Sequence, residues 1–226
     1  MRLKRSALLL FFVWALPAYA APYFDPASID PALLTPPPEL HGQIWDVEIE
    51  HIIGLQKSPD KEALEQAAAE RNVKPELIAE AVDPALTRKA YPKLYHLLDH
   101  IGETTHPISD AAKEFWHTDR PYKADSRVKA LIEPHDNASY PSGHTVASYT
   151  WAMVLGELMP EKRNAFIARA RTIAEHRVLV GMHYPHDLAG GRELARLIMG
   201  GLLQNAEFRN DFAEAKKELL AGNIRP

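Results

Sequence analysis

Apolar residues recur at helical spacing almost without interruption from residue 44 to residue 220, and no run alternates convincingly with period two. A stripe such as Leu94, Leu97, Leu98 and Ile101 can bury one side of a helix but not one face of a strand. The β-branched clusters that would fill a sheet are also missing. The chain is therefore expected to be all-α. Helices are read over 44–55, 59–71, 74–82 and 89–101, the second capped by Ser58 with Pro59 at its first position. Another starts at Ser109 or Asp110 and runs nearly to Arg120, where Pro121 ends it. The remaining patterns cover 146–158, 163–180, 195–203 and 206–220. The first of these reads as a core helix, too short and too polar for a membrane span.

Before this helical body stand two segments of other character. Residues 1–20 carry Arg2, Lys4 and Arg5, an apolar run over 7–16, and the ending Ala18-Tyr19-Ala20. This reads as a secretory signal peptide cleaved after Ala20, so the mature chain is expected to be periplasmic or secreted. Residues 21–40 hold six prolines and little periodicity. They read as an extended arm lying on the domain or on a second subunit, or as a disordered leader, and a homodimer or higher homo-oligomer stays open. The single domain then spans 41–226.

Cleavage takes three of the 26 basic residues with it, against 30 acidic ones, so the mature chain is acidic. That balance argues against nucleic-acid polymers and anionic membranes as partners. There is no cysteine, so export brings no disulfides and the core must carry the stability.

Chemistry concentrates near the end, in Glu-His-Arg-Val-Leu-Val-Gly-Met-His-Tyr-Pro-His-Asp over 175–187. Six residues of continuous helix turn the chain about 600°, so Arg177 and His183 share a site only if the helix stops between them. Gly181 can supply that stop and Pro185 can open the next helix, with Asp187 one turn beyond His183. An Asp so placed can hold Nδ1–H of the imidazole and leave Nε2 free to act. Ordinary capping would produce the same pattern.

Two earlier segments complement it. Lys113 and Arg120 are two turns apart and point the same way if their helix continues. Tyr140-Pro141-Ser142-Gly143-His144-Thr145 opens a helix, where the Ser142 hydroxyl and the amides of Gly143 and His144 can face an anion. Pooled, Lys113, Arg120, Arg177, one hydroxyl and two amides suit a tetrahedral, multiply charged oxyanion. Two histidines remain for an attack on one side and a proton on the other.

The pattern Lys113-x6-Arg120-Pro121, Pro141-Ser142-Gly143-His144, Arg177-x5-His183-x3-Asp187 resembles the three-part motif of the bacterial class A non-specific acid phosphatases. These belong to the superfamily of type 2 phosphatidic acid phosphatases and vanadium haloperoxidases. The resemblance implies a helical bundle of that type and His183 as the nucleophile that forms a phosphohistidine, oriented by Asp187. It implies His144 as the acid that protonates the leaving alcohol and then activates water. Lys113, Arg120, Ser142, Gly143 and Arg177 would clamp the phosphate, with no metal and no cofactor. Small phosphomonoesters, nucleotides included, would be substrates, with phosphotransfer to alcohols alongside hydrolysis, and phosphate or vanadate would inhibit. A mildly acidic optimum is expected, with His144 protonated while His183 stays free.

The family usually places Ser before the second arginine, whereas this chain has His176. A titratable ring there is expected to shift the pH profile with little loss of rate. The rival readings are a vanadate-dependent haloperoxidase, an exported oxyanion-binding protein without catalysis, and a metal site around His135, His176, His183 and His186. A histidine pair at His96 and His100, with Glu103 close by, has metal-ligand spacing but no second segment to complete it.

Overall fold

Among residues 21–222, which the computed structural model describes, the chain runs α1 (Gln43–Gln56), α2 (Lys61–Ala69), α3 (Glu76–Val82), α4 (Pro92–Trp116), α5 (Pro121–Ala124), α6 (Gly143–Leu158), α7 (Arg163–Leu179), α8 (Pro185–Gln204) and α9 (Ala206–Gly222). Within these residues there is no strand, and the fold is all-α. The signal peptide expected over 1–20 lies outside the described residues. No described helix is long and apolar enough to cross a membrane.

Helix α6 is apolar on several faces because it is surrounded, and α4, α7 and α8 all pack on it. The main core joins Leu94, Leu98 and Ile101 of α4 to Val146, Trp151 and Leu155 of α6, Phe166 and Ile173 of α7, and Leu194 and Ile198 of α8. Phe208 of α9, a helix that packs on α4 and α8, completes it. A smaller cluster pins α1 through Trp45, Ile49 and Ile52 against Val178, Tyr184 and Leu188, beside the α7–α8 junction.

Three local expectations are corrected. The helices read over 89–101 and from 109 onward are one helix, α4, which continues through Pro107. A proline removes one intrahelical N–H, yet nearby hydroxyls bond the carbonyls around it: Thr104 Oγ1 donates to His100 O at 2.8 Å and Ser109 Oγ to Thr105 O at 2.8 Å. Burial of Ile101, Ile108 and Ala112 on one face then holds the helix together. That helix stops at Trp116 rather than near Arg120, because His117 takes a left-handed conformation (φ 50°). Pro121 begins the short α5 instead of ending α4. Finally, α2 is capped by Asp60, whose Oδ1 accepts from Glu62 N at 2.8 Å, so Ser58 and Pro59 lie before it. A carboxylate is favoured at a helix start for the same reason a hydroxyl is, with charge added.

Residues 21–40 run along the body of their own chain. Tyr23 N donates to Thr104 Oγ1 at 3.0 Å, Trp116 Nε1 to Pro31 O at 3.3 Å, and Tyr140 OH to Thr35 O at 2.5 Å. Tyr23 and Leu34 are buried in the main core.

Candidate active site

The break between α7 and α8 positions the site. Gly181 has φ +74°, and a Cβ there would meet Lys129 O at 2.4 Å, so both conformation and space require glycine. The turn is tied back by the amides of Met182 and His183, which both donate to Arg177 O, at 2.9 and 3.2 Å. Arg177 therefore ends one helix while His183 precedes the next. Asp187 lies in the first turn of α8, where its Oδ2 accepts from Tyr184 N at 2.9 Å.

Glycines bring the third segment in. A Cβ on Gly190 would strike the Tyr140 ring at 2.4 Å, and one on Gly191 would meet Thr145 Cβ at 2.8 Å. Bare backbone on α8 thus lets the start of α6 approach until Ser142 N donates to Asp187 O at 3.1 Å.

His183 is buried and clamped at both nitrogens. Its Nδ1–H donates to Asp187 Oδ2 at 3.0 Å, and its Nε2 accepts from Arg120 Nη1 at 3.1 Å. The ring is consequently neutral, with its lone pair on Nε2. Burial, then the Arg120 charge, hold its pKa well below the usual histidine value, outweighing the raising effect of Asp187. Asp187 is itself oriented by Ser139 Oγ, which donates to Oδ2 at 2.5 Å. Burial pushes the Asp187 carboxyl up, but His183 and the other partners together leave its pKa below the ordinary one.

Arg120 is fixed by three carbonyl-type acceptors: Asn137 O at 2.9 Å, Asn137 Oδ1 at 2.7 Å and Met182 O at 2.8 Å. Lys113 Nζ donates to Ala138 O at 2.7 Å and Ser139 O at 3.0 Å. Only 4% exposed, the Lys113 ammonium is pushed by burial and by Arg120 down to about 7.

Lys113, Arg120, Gly143, His144 and His183 line one cavity of about 300 Å³, together with Arg71, Asn137 and His135. Three expected site residues stand behind that lining. Asp187 backs His183. Ser142 is the N-cap of α6, and its Oγ accepts from Thr145 Oγ1 at 3.0 Å, so capping accounts for its hydroxyl contacts. Arg177 is 1% exposed and donates through Nη2 to Ala67 O at 2.5 Å. Its Nε and Nη1 are buried without any partner. Buried guanidinium donors left unpaired are costly, and an oxyanion is a group that can satisfy them.

The His144 ring is held in place by two backbone carbonyls. Its Nε2–H donates to Glu70 O at 3.0 Å and Arg71 O at 3.1 Å, and burial with the Arg177 charge lowers its pKa to about 3. In the free protein the ring is neutral even at mildly acidic pH.

Glu70, at the end of α2, was not distinguishable in the sequence as part of the site. Its backbone holds His144, while its buried carboxylate accepts from His176 Nδ1 at 2.7 Å and lies 2.8 Å from Arg169 Nη2. Burial raises the Glu70 pKa, but His176 and Arg169 together bring it below its ordinary value. Ser139 and Asn137 were equally hidden, since they act on Asp187 and Arg120 across the fold. The four-histidine metal reading does not assemble: His176 is bonded to Glu70 and His186 to Glu48.

The sequence profile of the PAP2 superfamily matches residues 103–211, a span that holds every residue named in the three-part pattern. The chain is similar to a non-specific acid phosphatase of Providencia stuartii, 29% identical over 196 residues that cover 83% of this chain and 79% of that one. It is also similar to a non-specific acid phosphatase of Salmonella typhi, 25% identical over 95% of this chain and 93% of that one. A phosphatidylglycerophosphatase B of Escherichia coli is 33% identical, over 35% of this chain and 38% of its own.

Proposed function

We propose that the chain is a hydrolase of the acid phosphatase kind within the PAP2 superfamily and cleaves small phosphomonoesters, nucleotides among them, through a phosphohistidine on His183; the PAP2 match over residues 103–211 and the acid phosphatase relatives support this reading. The observation that carries this reading is the neutral His183, with Nδ1 on Asp187 and Nε2 in a cavity shared with Lys113 and Arg120. A depressed pKa keeps that lone pair available in acid, where an ordinary histidine is protonated.

Substrate phosphate takes the Arg120 N–H that His183 Nε2 now accepts, and it meets Lys113, the unpaired donors of Arg177 and the first-turn amides of α6. The Nε2–P bond forms as the bond from phosphorus to the leaving oxygen breaks. His144 gives that oxygen a proton. Its Nε2–H is committed to the Glu70 and Arg71 carbonyls, so Nδ1 is the nitrogen that exchanges protons. The dianion raises the His144 pKa by bringing negative charge beside Arg177, so the acid is charged by substrate binding. In the second half His144 takes a proton from water as the water oxygen bonds phosphorus and the N–P bond breaks. An alcohol in place of water gives phosphotransfer. Export through residues 1–20 would put this chemistry outside the cytoplasm.

A panel of nucleotides, sugar phosphates and phospholipid head groups, assayed with and without chelator, tests the proposal. Chelator-resistant phosphate release at pH 5–6 is expected. Activity lost with chelator and restored by zinc would replace it with a metal mechanism.

A further inference from the structure

A second histidine cluster lies outside the cavity, where α4 meets α9. His96 Nε2 and His100 Nδ1 each lie 3.6 Å from Asp211 Oδ2, and the three atoms all fall within 4.8 Å of one another. His100 and Asp211 are well buried, at 3% and 12% side-chain exposure, whereas His96 is 63% exposed.

Proton placement shows what this cluster can do. His100 Nε2–H donates to the backbone carbonyl of Ala21, which fixes the tautomer and leaves a lone pair on Nδ1. That Nδ1 is buried and has no hydrogen-bond partner. It faces a carboxylate oxygen that likewise offers only lone pairs, at a separation too long for a hydrogen bond. Two ligands of one tetrahedral cation, each bonded at about 2.0–2.1 Å, stand ~3.4 Å apart, close to the spacing here. The surroundings match an outer shell: Tyr23 OH donates to Asp211 Oδ2 at 2.7 Å, and the Tyr23 ring stacks on His100 with centroids 3.6 Å apart.

We propose that His96 Nε2, His100 Nδ1 and Asp211 Oδ2 form a site for a zinc-class divalent cation, separate from the phosphate cavity. Two imidazoles and one carboxylate suit that class better than the all-oxygen shells of calcium or magnesium. The fourth position is left to water on the exposed His96 side. A cation there ties α4 to α9 and, through Tyr23 and Ala21, to the N-terminal arm, so its effect falls on stability. The inference does not rest on the phosphatase reading.

Zinc titration of the full mature chain, followed by calorimetry, bound-metal analysis and Tm, tests it alongside His96→Gln and Asp211→Asn. His96→Gln changes an exposed side chain and leaves the core intact. About one zinc per chain is expected, with Tm rising on saturation and affinity falling more than about tenfold in either variant. Absence of stoichiometric binding at micromolar zinc, or binding unchanged in His96→Gln, would overturn the proposal.

Discussion

The position of one proton separates two buried histidine–aspartate contacts of this molecule, His183 with Asp187 and His100 with Asp211. In the cavity, His183 places its hydrogen on Nδ1, between ring and carboxylate at 3.0 Å, so Asp187 orients the imidazole and the far nitrogen turns its lone pair toward Arg120 in the cavity. At the α4–α9 contact, His100 gives its hydrogen to the Ala21 carbonyl, and a bare nitrogen faces Asp211 at 3.6 Å. The same residue types can thus build a nucleophile or a pair of ligands. What decides is which backbone or side-chain acceptor reaches the ring first.

The strongest way to break this distinction is to disturb the cavity proton. Asp187→Asn can hold His183 in the wrong tautomer, and kcat is expected to fall roughly 10⁴-fold with the helical CD spectrum retained. The matching change at Asp211 should leave kcat where it was. Near-native turnover by Asp187→Asn would mean that the carboxylate is only a helix cap.

Next in size is Arg177→Lys. An ammonium cannot reproduce the Nε and Nη1 donors that have no partner in the protein, so kcat/KM is expected to drop ~10²–10³-fold. Vanadate inhibition, measured in parallel, should weaken with it. A loss confined to Tm would mark the residue as structural.

Lys113 sets a pH limit. Burial and Arg120 hold its free-enzyme pKa to about 7, so positive charge is lost as pH rises through that value and kcat/KM should fall with it. On the acid side His183 stays neutral, because its pKa is depressed. Lys113→Arg keeps the charge, and although it lowers the rate, its kcat/KM profile should lose the alkaline limb near 7. An unchanged limb would assign it to another group.

The smallest effect is expected from His176→Ser. The ring bonds the Glu70 carboxylate rather than the cavity, so kcat should stay within about tenfold, ~1.4 kcal/mol, while the pH profile moves. Loss of activity at every pH would make the Glu70–His176 contact essential to holding His144.

Much of this fold could be read from the sequence because each helix declares its apolar stripe locally, as Leu94, Leu97, Leu98 and Ile101 do. The α7–α8 break was equally readable, since Gly181 and Pro185 carry their backbone preferences in their own chemistry. Where tertiary contacts overrule local preference, the reading failed. Pro107 did not end α4, and Pro121 starts a helix where it was expected to stop one. Arg120 still reaches the site because Asn137 and Met182, distant in sequence, aim it. Partners such as Glu70 for His144, or Asp211 for His100, lie 74 and 111 positions away and bear no local mark.

Rapid-quench labelling with a phosphomonoester radiolabelled in its phosphoryl group tests the central claim most directly. The account predicts one acid-labile, base-stable label per active chain, carried by His183 and absent from His183→Ala, which should also lack turnover. Turnover by the wild type with no trapped label under conditions that accumulate the intermediate, or sustained turnover by His183→Ala, would contradict it.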